Sequence, residues 1–99
     1  MIEIESDPPV ELVVKFTARD TEWGTGFQIT FDNGYTVSVQ FGRSAYSDQG
    51  ETTAEVAAWG PEPGQPWVRL GEHDDVKGYC SPEDVLGIMN MVANLPKPE

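Results

Sequence analysis

Apolar and polar residues alternate along several short segments of this 99-residue chain, a pattern typical of β-strands with one buried face. The first segment follows a loose lead-in over residues 1–9, and the polar stretch over 17–26 after it predicts a loop. The alternating apolar positions of the first segment are Val10, Leu12, Val14 and Phe16. We therefore predict an N-terminal strand that buries one face.

The most informative segment is 26–41, in which two alternating runs flank the residues 32–34. A two-residue turn would place the two apolar sets on opposite faces of a hairpin. A three-residue loop over 32–34 places them on one face. The cross-strand pairs are then Phe31 with Tyr35, Ile29 with Val37, and Phe27 with Val39. Because register follows the buried face, we predict the three-residue loop, with Gly34 in the left-handed conformation of a bulged turn.

Three further short strands are indicated after this hairpin. The loop over 60–66 separates the first two of them, since it holds three prolines, which do not fit a sheet interior. The predicted strands cover 52–59, 67–70 and 76–80. The first two are expected to form a hairpin, with Trp59 and Trp67 closing the proline loop from its two sides.

A helix is predicted to begin at Ser81, whose hydroxyl can accept a hydrogen bond from a backbone N–H of the first turn. Pro82 suits the first helical position, where its missing N–H costs nothing. Apolar residues then recur on one helical face at Val85, Ile88, Met89 and Val92. Pro96 ends the helix, and the tail over 96–99 is expected to fray.

Together these elements predict a single α+β domain over residues 1–99. We expect an antiparallel sheet of four or five strands, built from hairpins, with one C-terminal helix packed on one face. A chain of 99 residues has no room for a second core.

The charge balance narrows the range of functions. Six Lys and Arg face 17 Asp and Glu, which gives a net charge of −11 at pH 7. Such a charge repels phosphates, so it disfavours direct binding to nucleic acid or to an anionic membrane. The partner that it favours is a protein with a basic surface, including a host complex that binds nucleic acid. The alternative is that the acidic charge only keeps a small protein soluble.

Neither a membrane segment nor an export signal is indicated. No apolar run approaches the roughly 18 residues that cross a bilayer. The acidic N-terminus lacks the basic start and apolar stretch of a signal peptide. We therefore expect a cytoplasmic protein.

The residues suited to catalysis or metal binding are few, and we predict no catalytic residue, no metal and no cofactor. His73 is the only histidine and lies among the acidic residues 72–75. Its spacing matches no defined ligand motif, although a small metalloprotein or enzyme that uses His73 remains an alternative. Cys80 is the only cysteine, which excludes a disulfide within the chain. We expect it to be buried and structural.

The candidate partner-binding residues are acidic and aromatic side chains in the predicted loops. Trp23 lies beside two acidic residues, and Tyr46 lies in a small, polar segment. Aromatic side chains among charged ones are typical of protein-binding hot spots. The predicted set is Asp20, Glu22, Trp23, Tyr46, Glu72, Asp74 and Asp75. Nucleic-acid mimicry by the carboxylates requires them to share one face.

Two segments carry a resemblance to known proteins. They are residues 31–42, FDNGYTVSVQFG, and residues 76–85, VKGYCSPEDV. The chain resembles short proteins encoded by bacteriophages and prophages, over about residues 26–95. The resemblance implies a phage setting inside a bacterial cell, where small acidic proteins include inhibitors of host defence such as anti-CRISPR proteins. It supplies no catalytic residues.

Three functional hypotheses follow. The first is a non-enzymatic binding protein that inhibits a host nucleic-acid-handling complex, in the manner of an anti-CRISPR protein and by nucleic-acid mimicry. The second is a phage housekeeping or virion-associated protein that binds through its sheet edge or its aromatic residues. The third is the metalloprotein or enzyme that uses His73. A monomer and a homodimer are both compatible with the sequence.

Overall fold

Five antiparallel strands form one sheet in the order β1-β2-β3-β4-β5, and a C-terminal helix packs against it. The computed structural model describes residues 13–20, 24–43, 45–49, 51–71 and 75–97. The elements are β1 (Val13–Asp20), β2 (Thr25–Phe31), β3 (Thr36–Gln40), β4 (Ala54–Trp59), β5 (Val76–Cys80) and α1 (Pro82–Ala93). The predicted α+β architecture is confirmed. The proposed lead-in over 1–9 lies outside the described residues.

The β2–β3 hairpin has the predicted three-residue loop. Ile29 is the cross-strand partner of Val37, and the Phe31 N–H donates to the carbonyl of Tyr35 at 2.8 Å. Gly34 has a φ of +89°, which is left-handed and costs glycine little. The apolar residues of both strands consequently lie on the side of the sheet against which α1 packs.

The core lies between α1 and the strands β3, β4 and β5. Its buried apolar members are Phe31, Val37, Val39, Ala54, Val56, Ala58, Cys80, Ile88 and Val92. Burying a valine or isoleucine side chain stabilises the fold by roughly 1.5–3 kcal/mol. Ten further apolar residues are partly buried against this set and add to it.

The helix begins and packs as its sequence predicts. The Ser81 hydroxyl accepts a hydrogen bond from the Asp84 N–H at 3.1 Å, and the Asp84 carboxylate accepts one from the Ser81 N–H at 3.0 Å. This reciprocal capping box satisfies two backbone donors at the start of the helix. Ile88 and Val92 are buried, which confirms the predicted apolar stripe. No helix within the described ranges is long and apolar enough to cross a membrane.

Three details of the strands differ from the predictions. The N-terminal strand continues to Asp20 and β2 begins at Thr25, so the predicted loop over 17–26 is too long. All of β1 is exposed, so the predicted burial of Val14 and Phe16 is wrong, while Val10 and Leu12 lie outside the described residues. The reason is that α1 contacts β3, β4 and β5, and its apolar stripe does not reach β1. The segment 67–70 is not a regular strand, although the Val68 N–H donates to the Ala58 carbonyl at 2.8 Å.

Candidate functional site

The antiparallel order gives the sheet two distinct ends. Strands β1, β3 and β5 finish at the same end at which β2 and β4 begin, and α1 also begins there. We call this the upper end, and the opposite one the lower end. The described residues between β3 and β4 are 41–43, 45–49 and 51–53. They belong to the upper end, and we call them the β3–β4 loop.

Acidic residues concentrate at the upper end. Asp20 closes β1, and other acidic side chains come from the β3–β4 loop and from the first turn of α1. The acidic residues that close β1, lie in the β3–β4 loop or lie in the first turn of α1 are Asp20, Asp48, Glu51, Glu83 and Asp84. The described acidic residues of the lower end are Asp32, Glu62 and Asp75. The basic residues described at this end are Arg19, which precedes Asp20 on β1, and the exposed Arg43 of the β3–β4 loop. Five carboxylates against these two cations leave the described upper end with an excess of negative charge.

The Asp48 carboxylate holds the β3–β4 loop together. It accepts hydrogen bonds from the Thr52 hydroxyl and from the backbone N–H groups of Thr52 and Thr53, the latter at 3.0 and 2.9 Å. The Thr52 hydroxyl first, and then these N–H groups, lower the pKa of Asp48 well below its usual range. The Asp48 side chain is therefore a fixed negative charge as well as a structural element.

Asp84 is also held as an anion. The backbone N–H of Ser81, followed by its side chain, lowers the pKa of Asp84. Asp84 lies in the first turn of α1, where the partial positive charge of the helix terminus favours a carboxylate. Asp84 and the neighbouring Glu83 thus present exposed negative charge beside the end of β5.

Two exposed tyrosines accompany these carboxylates. The Tyr46 N–H donates to Oε2 of Glu55 at 2.9 Å, and the Tyr79 N–H donates to the Tyr46 carbonyl at 2.8 Å. The β3–β4 loop is thereby attached to the end of β5. Tyr46 is 66% exposed and Tyr79 is 64% exposed, so both rings are available to a partner.

Tyr79 has an unusual backbone conformation. The register between β4 and β5 shifts between Ala54 and Val56, which leaves Gly78 and Tyr79 opposite Glu55. In this bulge Tyr79 has a φ of +53°, which is disfavoured for a residue with a side chain. Such strain is concentrated at functional sites.

Gly78 makes the attachment of the loop possible. A Cβ at Gly78 would lie 2.7 Å from the Cβ of Tyr46, closer than real Cβ contacts allow. The absence of a side chain at Gly78 therefore lets Tyr46 approach β5.

The sequence-predicted partner-binding residues are divided between several places. Asp20 and Tyr46 lie at the upper end, whereas Asp75 lies at the lower end and at the opposite edge of the sheet from Asp20. Four other predicted residues lie outside the described residues, as does His73. They are Glu22, Trp23, Glu72 and Asp74.

Sequence reasoning did not assign the remaining upper-end residues to a binding surface. Glu83 and Asp84 lie in the first turn of the predicted helix, and nothing in the sequence indicates that this turn lies beside the β3–β4 loop. Tyr79 carries no signal for a left-handed conformation, because the conformation arises from the bulge. The unassigned residues are Asp48, Glu51, Tyr79, Glu83 and Asp84.

The described residues contain little catalytic chemistry. Among them, no group of three or more His, Cys, Asp or Glu side chains is placed to hold a metal ion. Cys80 is buried, as predicted, and its thiol donates to the Lys77 carbonyl at 3.4 Å. Burial raises the pKa of Cys80, and a protonated thiol is a poor nucleophile.

The face of the sheet opposite α1 carries a cleft of about 380 Å³. Trp59 and Trp67 lie at its lower end, with their ring centroids 5.4 Å apart. This contact confirms the prediction that the two tryptophans close the proline loop. Arg19 lines the cleft at its upper end, on β1.

Comparison of the chain with protein-family models, with curated proteins and with solved structures finds no match. Function is therefore inferred from the residues and their placement.

Proposed function

We propose that this is a non-enzymatic binding protein whose upper end attaches to a basic surface on a nucleic-acid-handling protein. The observation that carries the proposal is the gathering of exposed carboxylates and two exposed tyrosines at one end of the sheet. The carboxylates come from β1, the β3–β4 loop and α1, which are separate in sequence.

Electrostatics supports this choice of partner. The chain has a net charge of −11, and Asp48 and Asp84 are held as anions by hydrogen bonds. A surface of one charge sign steers a partner of the opposite sign and speeds association. Proteins that bind nucleic acid carry basic surfaces suited to phosphates, and carboxylates spaced over a rigid surface can occupy such a surface in place of phosphates.

The two tyrosines supply binding free energy that exposed charges alone do not. Exposed ion pairs contribute little binding free energy each, whereas tyrosine is enriched among the residues that dominate interfaces. Tyr46 and Tyr79 are joined by a backbone hydrogen bond, so their positions are fixed relative to each other. Each ring can pack against a partner and can contact an arginine through its face.

A narrower form of the proposal is that this attachment inhibits the partner. In this form the protein acts in the cytoplasm of a bacterial host and blocks a nucleic-acid-binding complex, as an anti-CRISPR protein does. Its support is the acidic surface together with the resemblance of segments 31–42 and 76–85 to phage-encoded proteins.

The test compares charge reversal at the two ends. The upper-end variant carries Asp20→Lys, Glu51→Lys and Glu83→Lys. The matched lower-end variant carries Asp32→Lys, Glu62→Lys and Asp75→Lys. Asp48 and Asp84 are left unchanged because they hold the loop and the helix start. Each protein serves as bait in a nuclease-treated bacterial lysate at low and at high salt.

The wild-type and lower-end proteins are expected to capture the same nucleic-acid-handling complex at low salt, and the upper-end variant to lose it. Equal capture by all three proteins, or equal loss in both variants, would contradict the proposal.

A second candidate function rests on the edge strand β1. Phe16 is 62% exposed although its ring stacks on Phe27 at 5.7 Å between centroids, and Val13 and Val14 are exposed beside it. An exposed apolar edge strand can pair with a strand of another protein. This candidate predicts capture that is insensitive to salt and lost in Phe16→Lys.

A further inference from the structure

The cleft opposite α1 has a floor that suits a hydroxyl-rich ligand. Gln28 and Ser38 are cross-strand partners on this face, and Gln40 lies two residues beyond Ser38 on the same side of β3. The Gln40 amide donates to the Ser38 hydroxyl at 3.1 Å. Each amide and hydroxyl group is both a donor and an acceptor, as is each hydroxyl group of a sugar.

The lower end of the cleft is aromatic. Trp67 is 48% exposed and packs at a tilt against Trp59. An indole ring provides a broad apolar surface together with one N–H donor. The C–H face of a pyranose ring is apolar and flat enough to stack on such a surface, while its hydroxyl groups point outward toward polar neighbours.

The charges of the described residues that line the cleft balance. One row of cross-strand partners runs over this face from β1 to β4. It consists of Arg19, Gly26, Gln40 and Glu55, one residue from each strand in that order. Arg19 and Glu55 therefore place one cation and one anion in the same row. With this local balance inside a molecule of net charge −11, the cleft favours an uncharged ligand over a phosphate or a carboxylate.

We propose that this cleft binds a short uncharged oligosaccharide. One sugar ring stacks on Trp67, and a following ring lies over Gln28 and Ser38. Its volume of about 380 Å³ falls in the range of small-ligand sites. The polar floor distinguishes it from pockets for apolar ligands, in which an unpaired amide would lose hydrogen bonds to water.

The experiment is a titration of the full ¹⁵N-labelled chain, followed by NMR, with three uncharged probes at millimolar concentration. The probes are cellotriose, maltotriose and N,N′,N″-triacetylchitotriose. The expected result is saturable shifts of the Trp59 and Trp67 indole N–H signals and of the Gln28 side-chain amide for at least one probe. These signals are assigned from Trp59→Phe, Trp67→Phe and Gln28→Ala.

Two variants and a control make the outcome specific. Trp67→Ala and Gln28→Ala are each expected to weaken binding about tenfold, because each removes one contact with the ligand. Leu86→Ala changes an exposed residue of α1 on the other side of the sheet and is expected to bind as the wild type does. Thermal unfolding of each variant shows whether it is folded.

The proposal is overturned if no probe causes saturable shifts. It is equally overturned if a probe binds folded Trp67→Ala and folded Gln28→Ala as tightly as the wild type, since the ligand then lies elsewhere.

Discussion

The side-chain amide of Asn33 donates a hydrogen bond to the carbonyl oxygen of Val92 at 2.9 Å, which joins residues 59 positions apart in sequence. The same amide nitrogen lies 3.0 Å from the carbonyl oxygen of Leu95. Asn33 is buried in the β2–β3 turn, and its Oδ1 accepts a hydrogen bond from the Tyr35 N–H. One side chain therefore shapes the turn and satisfies the carbonyl groups at the end of α1.

Replacing Asn33 tests this link. In Asn33→Ala the free energy of unfolding should fall by about 2–3 kcal/mol, because the carbonyl groups of Val92 and Leu95 both lose the hydrogen bond from this amide. Asn33→Asp should be at least as unstable, since it adds negative charge at the C-terminal end of a helix. Urea unfolding measures both. Asn90→Ala, an exposed change in the same helix, should stay within about 0.5 kcal/mol of the wild type. Similar stability for Asn33→Ala and Asn90→Ala would contradict the role assigned to Asn33.

The strained conformation of Tyr79 predicts a ranking of substitutions. Tyr79→Val should lower the free energy of unfolding by about 1–2 kcal/mol, because a β-branched residue tolerates positive φ poorly. Tyr79→Gly should leave stability close to that of the wild type, because glycine adopts this conformation freely. It should nevertheless weaken attachment to the basic partner, since the exposed ring is lost. If Tyr79→Gly proves less stable than Tyr79→Val, the positive φ does not determine how substitutions of Tyr79 change the free energy of unfolding.

The glycines provide a matched pair of alanine substitutions. Gly78→Ala should destabilise the fold by about 1–3 kcal/mol, because its Cβ would press against Tyr46 in a packed contact. Gly87→Ala should stabilise it by about 1 kcal/mol, since Gly87 lies within α1 and faces open space. Thermal unfolding of both variants is the measurement. A stabilising effect of Gly78→Ala would show that the β3–β4 loop does not pack against β5.

The hydrogen bonds to Asp48 predict a dependence of stability on pH. Because the folded-state pKa of Asp48 is lowered, its contribution to stability is present above the unfolded-state pKa of about 4. That contribution is lost as the pH falls from there toward the folded-state pKa. Asp48→Asn should therefore show a shallower loss of stability below pH 4 than the wild type. Glu62→Gln makes the same kind of change in the exposed proline loop and should retain the wild-type slope. Identical acid unfolding profiles for wild type and Asp48→Asn would contradict this account.

The sequence predicts the local elements well because their signals are local. The register of the β2–β3 hairpin follows from alternation about 32–34, and the helix start follows from Ser81 and Pro82. The exposure of β1 does not follow in this way. Alternation shows that a strand has an apolar face, whereas the cover of that face depends on where α1 lies across the sheet.

The candidate site is harder to predict for the same reason. The sequence shows Tyr46 as an aromatic residue in a polar loop, but its contact with Tyr79 depends on the strand order and on the bulge in β5. Asp20 and Glu83 lie far apart in the chain and reach the same end only because β1 and β5 run in the same direction. A pattern of single residues does not contain that information.

We infer that the upper end carries the attachment to a basic partner. The most direct measurement of this attachment is the affinity of the captured partner for the wild-type, upper-end and lower-end proteins, taken over a series of salt concentrations. The account predicts that the upper-end variant binds at least about tenfold more weakly at low salt and loses most of the salt dependence, while the lower-end variant keeps both. Equal affinities and equal salt dependence for the two variants would contradict it.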